Sequence, residues 1–301
     1  MKKLLIIPFL ILFTLIISAC QKPQDNFENS TFKIIVPAGT PQLALSLIDE
    51  NRFNITQTNG PDLISSSFAS KEFDLIVAPT NLGLKLHNNN YQLLATIIWG
   101  SLYIVGTGEI NPYLNNIHKI YTFGKGTTND ILLTYVIDQL NLTIDVSYLA
   151  SAEDVRAHLL TNPNDIVVLP EPQVSIVENV SGIHLNKVDL SLLFNSISNH
   201  TTPQASIFIK SSLKYSFKNK IHQSLETSIN KINDDYQTTT LEAIRRGSNI
   251  NAMVLMSSLP NMNIHYLRGS SIIEEIAAYW DLIHSMNEAL VGVLPGNDFY
   301  F

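Results

Sequence analysis

Apolar residues along this chain follow two alternating patterns. Short continuous runs predict buried strands, and positions recurring every third or fourth residue predict helices. "FKIIVPAGTPQLALSLI", starting at Phe32, gives a strand, a Gly-Thr turn, and a helical pattern with Leu43, Leu47 and Ile48 on one face. "HKIYTFGKGTTNDILLTYVI", starting at His118, repeats that order, with Ile131, Leu132, Tyr135 and Val136 sharing a helix face. "FDLIVAPTNLG" from Phe73 and "NDIVVLPEPQVS" from Asn164 form a second matching pair: an Asp, an apolar strand, a Pro and a helix start. Between the members of each half lies another strand–helix unit, "FNITQT" with "DLISSSFAS" and "IDVSYL" with "SAEDVRAHLL". In the latter, Ser151 is placed to cap the helix, with Glu153 and Asp154 in its first turn.

Each half therefore reads β-α-β-α-β-α. Continuous apolar strands alternating with helices predict two mainly parallel sheets with helices on both faces. "YQLLATIIWGSLYIVGTG" from Tyr91 reads as a long extended exit from the first half, and "TPQASIFIKSSL" from Thr202 as an extended return. A helical tail follows, over residues 214–233, 238–246, 251–258 and 272–287. The expected plan is an α/β protein of two lobes. Residues 31–105 plus 204–301 form lobe 1, residues 106–203 form an inserted lobe 2, and the two crossings make a hinge.

The opening of the chain belongs to neither lobe. Met1, Lys2 and Lys3 precede an apolar run over residues 4–17, broken by Pro8 and Thr14, and Ser18 and Ala19 come just before Cys20. This is the pattern of a secretory signal peptide, shorter than the ~20 apolar residues of a spanning helix. "ISAC" resembles a bacterial lipobox, which implies cleavage after residue 19 and acylation of Cys20. Residues 20–30 then read as a polar tether holding the fold to the membrane. Cys20 is the single cysteine of the 301 residues, so the remainder has no disulfide and no cysteine metal site.

Formal net charge is −7 with 15% charged residues, and no basic stripe exists, which excludes nucleic acid as an expected partner. There is no G-x-S-x-G, no H-E-x-x-H, no tight histidine cluster and no P-loop spacing. The chemistry that remains sits where open α/β sheets bind ligands, at the carboxyl ends of strands. The candidate ligand-binding residues are Gly39 and Thr40 in "AGTPQ", Thr80 and Asn81 in "APTN", and Gly124, Lys125, Gly126, Thr127, Thr128 and Asn129 in "FGKGTTN". Glu171, with Gln173, in "PEPQ" and Trp99 before Gly100 complete the set. In "GKGTTN" the glycines permit close backbone approach, the helix start presents free N–H groups, and Lys125 adds charge; this suits a sulfonate, phosphate or carboxylate. Thr127 and Thr128 are also placed to cap that helix. Trp99 is read either as a ring-stacking residue or as hinge core, and Glu171 either as the partner of a cationic ligand group or as a helix cap. Tyr279 and Trp280 read as packing residues of an amphipathic helix.

Taken in order, the lipobox, "VPAGTPQLAL", "FDLIVAPTNLGLKL", "YQLLATIIWGSLYIVG", "YTFGKGTTNDILLTYV" and "DIVVLPEPQVS" resemble the extracytoplasmic solute-binding lipoproteins of ABC importers, of the nitrate/sulfonate/taurine and thiamine-precursor type. The closing "LVGVLPGNDFYF" is similar to the GG-x-L-P-x-x-x-F-Y ending of a Firmicute-like subgroup, with "LVGVLP" in place of its double glycine. The resemblance implies a type II periplasmic-binding-protein fold. It also implies a protein that closes on a small solute and hands it to a membrane permease; the expectation is a monomer that needs no cofactor and catalyses no reaction, and the neutral-to-basic turns favour an anionic or aromatic solute. Related pyrimidine-synthesising enzymes share the fold but use a Cys-rich motif absent here. A ligand-binding subunit for a membrane sensor and a lipid-anchored enzyme using the same cleft are the alternatives.

Overall fold

The computed structural model describes residues 26–58, 61–87 and 89–301, so the expected signal peptide and Cys20 lie outside the described residues. Residues 26–31 hold a single turn, Phe27–Asn29, capped by the Asn26 side chain, which accepts from the Glu28 amide.

Residues 32–301 build two sheets. In the first, β1 (Phe32–Pro37) pairs in parallel with β2 (Phe53–Thr58) and β3 (Leu75–Pro79). Strand β4 (Tyr91–Ile98) shares their direction but is separated from β3 by β10 (Ala205–Lys210), which runs against both, and β11 (Ile264–Arg268) flanks β4 in antiparallel. The order is β11-β4-β10-β3-β1-β2. In the second, β6 (Lys119–Phe123) is parallel to β7 (Asp145–Leu149) and β8 (Val167–Pro170), while β5 (Leu102–Gly106) runs against β8 and β9 (Asn186–Asp189). The order there is β7-β6-β8-β5-β9. Each sheet is thus mainly unidirectional, with antiparallel strands β5 and β10 where the chain changes sheet and β11 at the edge of the first.

Helices follow the strands as the periodicity predicts: α1 (Thr40–Leu43), α2 (Pro61–Ser70) and α3 (Thr80–Leu86) after β1 to β3, and α4 (Thr128–Gln139), α5 (Ala152–Thr161), α6 (Gln173–Ser181) and α7 (Leu190–Ser198) after β6 to β9. The tail forms α8 (Tyr215–Asn230), α9 (Tyr236–Arg245), α10 (Ala252–Ser258) and α11 (Ile273–Asn287). Alternate strand residues point to opposite faces, and the second sheet shows this directly. Ile104, Ile120 and Val168 pack with Leu132, Val136 and Phe194 of α4 and α7, whereas Val105, Val167 and Leu169 pack with Val155 and Val174 of α5 and α6. Ser151 caps α5 as expected, accepting from the Asp154 amide at 3.1 Å.

Three expectations change. The helix after Gly39 ends after one turn. From Leu45 on, amides bond three residues back, Leu45 to Gln42 and Ser46 to Leu43. This tighter winding buries Leu43, Ala44, Leu45 and Ser46 in succession, which one face of an α-helix cannot do. The long exit from the first half is two strands: β4 ends at Ile98, and β5 already belongs to the second sheet. Sheet membership therefore changes at residues 99–101, where the sequence suggested residue 106. Thr127 stands at the N-cap of α4, but its hydroxyl donates to Gly124 O at 2.6 Å instead of accepting from the helix.

The crossings are short. Three residues, Trp99, Gly100 and Ser101, join β4 to β5. Gly100 takes φ +101°, and a Cβ there would lie 2.3 Å from Ser191 Oγ, so the turn needs glycine twice over. Residues 199–204 make the return. Gln204 ties the two crossings: its amide donates to Ile98 O at 2.9 Å and its side-chain oxygen accepts from the Ser101 amide at 3.0 Å.

Close packing of α3 on the first sheet gives a direct test. Phe208 of β10 is fully buried, and a Cβ at Gly83 would lie 1.9 Å from its Cζ. Gly83→Ala is expected to destabilise the fold by about 1–3 kcal/mol through overpacking, measured by denaturant unfolding. Adding Phe208→Leu should recover part of the loss. A Gly83→Ala protein as stable as the parent would show that the helix can shift freely.

Candidate functional site

The carboxyl ends of both sheets meet. Strand β4 leaves the first sheet at its carboxyl edge, and β5 enters the second beside Pro170 at the end of β8. A three-residue link spans no more than about 10 Å, so the two edges must abut. Direct hydrogen bonds join them. Thr40 Oγ1, after β1, donates to Glu171 O, after β8, at 2.6 Å. Asn81, after β3, reaches the turn after β6: its Nδ2 donates to Gly126 O at 3.3 Å, and its Oδ1 accepts from Thr128 Oγ1 at 3.3 Å.

Thr40, Thr80, Asn81, Gly124, Gly126, Thr127, Thr128 and Glu171 all fall on these edges. Gly39 precedes α1 at its N-cap. Thr80 is fully buried, and its hydroxyl joins Ser206 and, through it, Thr96, both at 2.8 Å, in a chain of neutral side chains across β3, β10 and β4. Trp99 lies at the crossing, packs on the core of the first sheet, and donates its indole N–H to His265 O at 2.9 Å. Of its two readings, the hinge-core one matches these contacts. Lys125 is exposed, with its ammonium 5.3 Å from the centre of the Tyr148 ring.

Several residues at this junction were not read as site residues from sequence. Tyr279 of α11 is fully buried and donates its hydroxyl to Thr128 Oγ1 at 3.2 Å. Leu290 follows the same helix; its carbonyl accepts from Asn81 Nδ2 at 3.4 Å. Leu282 of α11 packs against the cores of both sheets, and Ile131 of α4 enters the core of the first. Tyr103 of β5 donates to Asn261 O at 2.9 Å. Reading Tyr279 as a packing residue left out its polar end, and a buried tyrosine hydroxyl needs a partner.

No family model and no curated protein matches the chain. Solved structures do. An ABC transporter protein from Parabacteroides distasonis superposes with a TM-score of 0.77 at 22% identity, covering 90% of this chain and 99% of that one. The periplasmic aliphatic sulphonate-binding protein of Escherichia coli gives 0.68 at 13% identity, over 90% and 92% of the two chains. The periplasmic nitrate-binding protein of Synechocystis PCC 6803 gives 0.60 at 11% identity, over 90% and 87%. The fold is that of the type II periplasmic binding proteins. Such likeness fixes the architecture and leaves the ligand open.

The edge also carries acidic side chains. Glu171 is 1% exposed, and burial raises its pKa above the ordinary carboxylate value. Its carboxylate accepts from the Ser175 amide and hydroxyl, each at 3.1 Å, which partly offsets that rise and caps α6. Of its two readings, the cap is the one these contacts make. Burial also raises the pKa of Asp189, at the end of β9. Arg156 donates to Gln173 Oε1 at 2.7 Å, and Gln173 passes a hydrogen bond to Glu153 at 3.0 Å. Among the described residues no group of His, Cys, Asp and Glu is placed to hold a metal ion.

Two outcomes follow from these bonds. A raised folded-state pKa means that the folded protein holds the Glu171 proton more tightly than the unfolded chain. That contribution is present in full below the unfolded value and is lost as pH rises through the folded one. Glu171→Gln should therefore stabilise the protein relative to wild type at about pH 7.5 and lose that advantage near pH 4, read as the difference in melting temperature. An advantage that is constant with pH would assign the effect to packing. Tyr279→Phe, which removes the donor to Thr128 and keeps the ring, should cost about 0.5–1.5 kcal/mol; an unchanged unfolding midpoint would show that this bond carries no net stability.

Proposed function

We propose that this chain is the solute-binding component of an ABC importer. It is a lipoprotein held on the extracytoplasmic face of the cell membrane. It takes a small solute between the two facing edges and passes it to a permease. The observation that carries this reading is the meeting of two sets of strand-end turns across two short crossings. Each edge brings hydroxyl, amide and backbone groups to that junction. Rotation about residues 99–101 and 199–204 would part the edges and expose the cross-edge contacts of Leu282, Ile131 and Tyr279, while the rest of each sheet's core stays packed. A solute that binds better to the closed arrangement than to the open one then draws the two lobes together.

Further support comes from both ends of the argument. Solved proteins of this fold include ones described as binding sulphonate and nitrate. The lipobox-like "ISAC" offers Cys20 as the acylated residue, with residues 1–19 removed and residues 20–30 as the tether. No helix among the described residues is long and apolar enough to cross a membrane. This reading takes Gly39, Thr40, Asn81, Gly126, Thr128 and Glu171 as groups that meet the solute, with Thr80 buried behind them, and assigns them no catalytic step.

A thermal-shift screen over small solutes tests the capture role. A true ligand at a hundredfold excess over its dissociation constant adds about 2.7 kcal/mol of apparent stability, and small-angle scattering should show the lobes drawing together. Asn81→Ala, which removes both hydrogen bonds to the second edge, should weaken that ligand at least about tenfold, the factor equivalent to 1.4 kcal/mol. Binding with no compaction and no sensitivity to Asn81 would remove the cleft from the account. For the anchor, Cys20→Ser should abolish incorporation of labelled palmitate and release the protein from cells; retained label would place the lipid elsewhere.

A further inference from the structure

The turn over residues 124–129 brings a lysine beside glycine amides at the facing edges, and four of its donors, the Gly126 and Thr127 amides and the Thr127 and Thr128 hydroxyls, are already engaged. The Gly126 amide donates to Asp130 Oδ2 at 2.7 Å. The other oxygen of the same carboxylate accepts from Tyr148 OH and lies 3.5 Å from Thr134 Oγ1. The amide and hydroxyl of Thr127 both return to Gly124 O, at 2.9 and 2.6 Å, and the Thr128 hydroxyl goes to Asn81. Lys125 rests over the ring of Tyr148, the residue that holds Asp130. An acid in the first turn of α4 also offsets the positive end of that helix. The turn therefore carries its own anion on the Gly126 amide.

Among the described residues, the rest of the edge adds no cation beyond Arg156. Arg156 is spent on Gln173, which in turn binds Glu153, and Glu171 contributes a second, buried carboxylate held by Ser175. Groups that reach between the edges, Thr40, Asn81 and Thr128, are neutral.

Resting on the reading of this cleft as a solute site, we propose that Asp130 is its charge filter. Asp130 acts as an internal counter-anion to the "GKGTTND" turn, so the captured solute bears no anionic group and is held by neutral hydroxyl and amide partners. This departs from the anionic solute that the turn's sequence suggested, and the cause is the carboxylate one helical turn further on. An incoming anion would meet like charge at the edge and find its amide donor occupied.

The test uses sulfate and ethanesulfonate as probes, at ionic strength held constant with chloride, and isothermal titration as the measurement. Wild type should show no saturable binding of either. Asp130→Ser, which frees the Gly126 amide and removes the charge, should bind at least one of them saturably and at least about tenfold more tightly, because like-charge contact inside a site costs more than that factor. Asp130→Asn keeps an acceptor for the amide without the charge, so it should melt close to wild type and also gain affinity. Saturable sub-millimolar binding of either anion by wild type overturns the proposal, as do folded variants that gain nothing. If neither variant folds, the wild-type titrations alone decide. The capture role fails on a separate result, the absence of solute-driven compaction for solutes of every charge class.

Discussion

Three residues separate the last strand of the first sheet's opening run from the first strand of the second sheet. That shortness constrains almost everything else. Because β4 exits and β5 enters at carboxyl edges, the two sets of strand-end turns are brought face to face. The return through residues 199–204 enters β10 at the same edge, and Gln204 binds one crossing to the other. Gly100 makes the tight passage possible, since any side chain there would run into Ser191.

Beyond the facing edges themselves, α11 adds contacts across the junction. The helix comes from the tail that completes the first half, yet Leu282 packs against both cores and Tyr279 reaches Thr128. In exchange, Ile131 of α4 is buried with residues of the first sheet. The cross-edge contacts thus combine a small apolar exchange with a few hydrogen bonds between short side chains. Their polar part is neutral, and the charged groups nearby are paired within their own half: Asp130 with Tyr148 and Gly126, Arg156 with Gln173, Lys187 with Glu178.

Much of this was legible in the chain. Continuous apolar runs in β1, β3 and β8 announced strands buried on both faces, and the repeated order of strand, turn and helix announced two related halves. The turns "AGTPQ", "APTN", "GKGTTN" and "PEPQ" were recognisable as strand ends because glycine, proline and threonine sit where the hydrophobic period switches from two to nearly four. The short helix α1 was not legible, since "LALSLI" fits a helical period as well as it fits the tighter winding that the neighbouring strands require. Nor was the division of "IIWGSLYIV" into strands of different sheets, because apolar continuity carries no record of which sheet a strand joins.

Local pattern by itself determined the strands, most helices and the polar turns, because those depend on neighbours within a few residues. The tertiary structure alone decided what the turns do. Asp130 follows "GKGTTN" in plain view, but its role depends on Tyr148, which arrives from β7, eighteen positions along the chain. Tyr279 sits among core residues of an amphipathic helix, and only the docking of α11 across the junction gives its hydroxyl to Thr128, 151 positions away. Hydrogen-bond partners and charge compensation are settled by distance in space, and sequence separation holds no information about that once the chain has crossed between sheets.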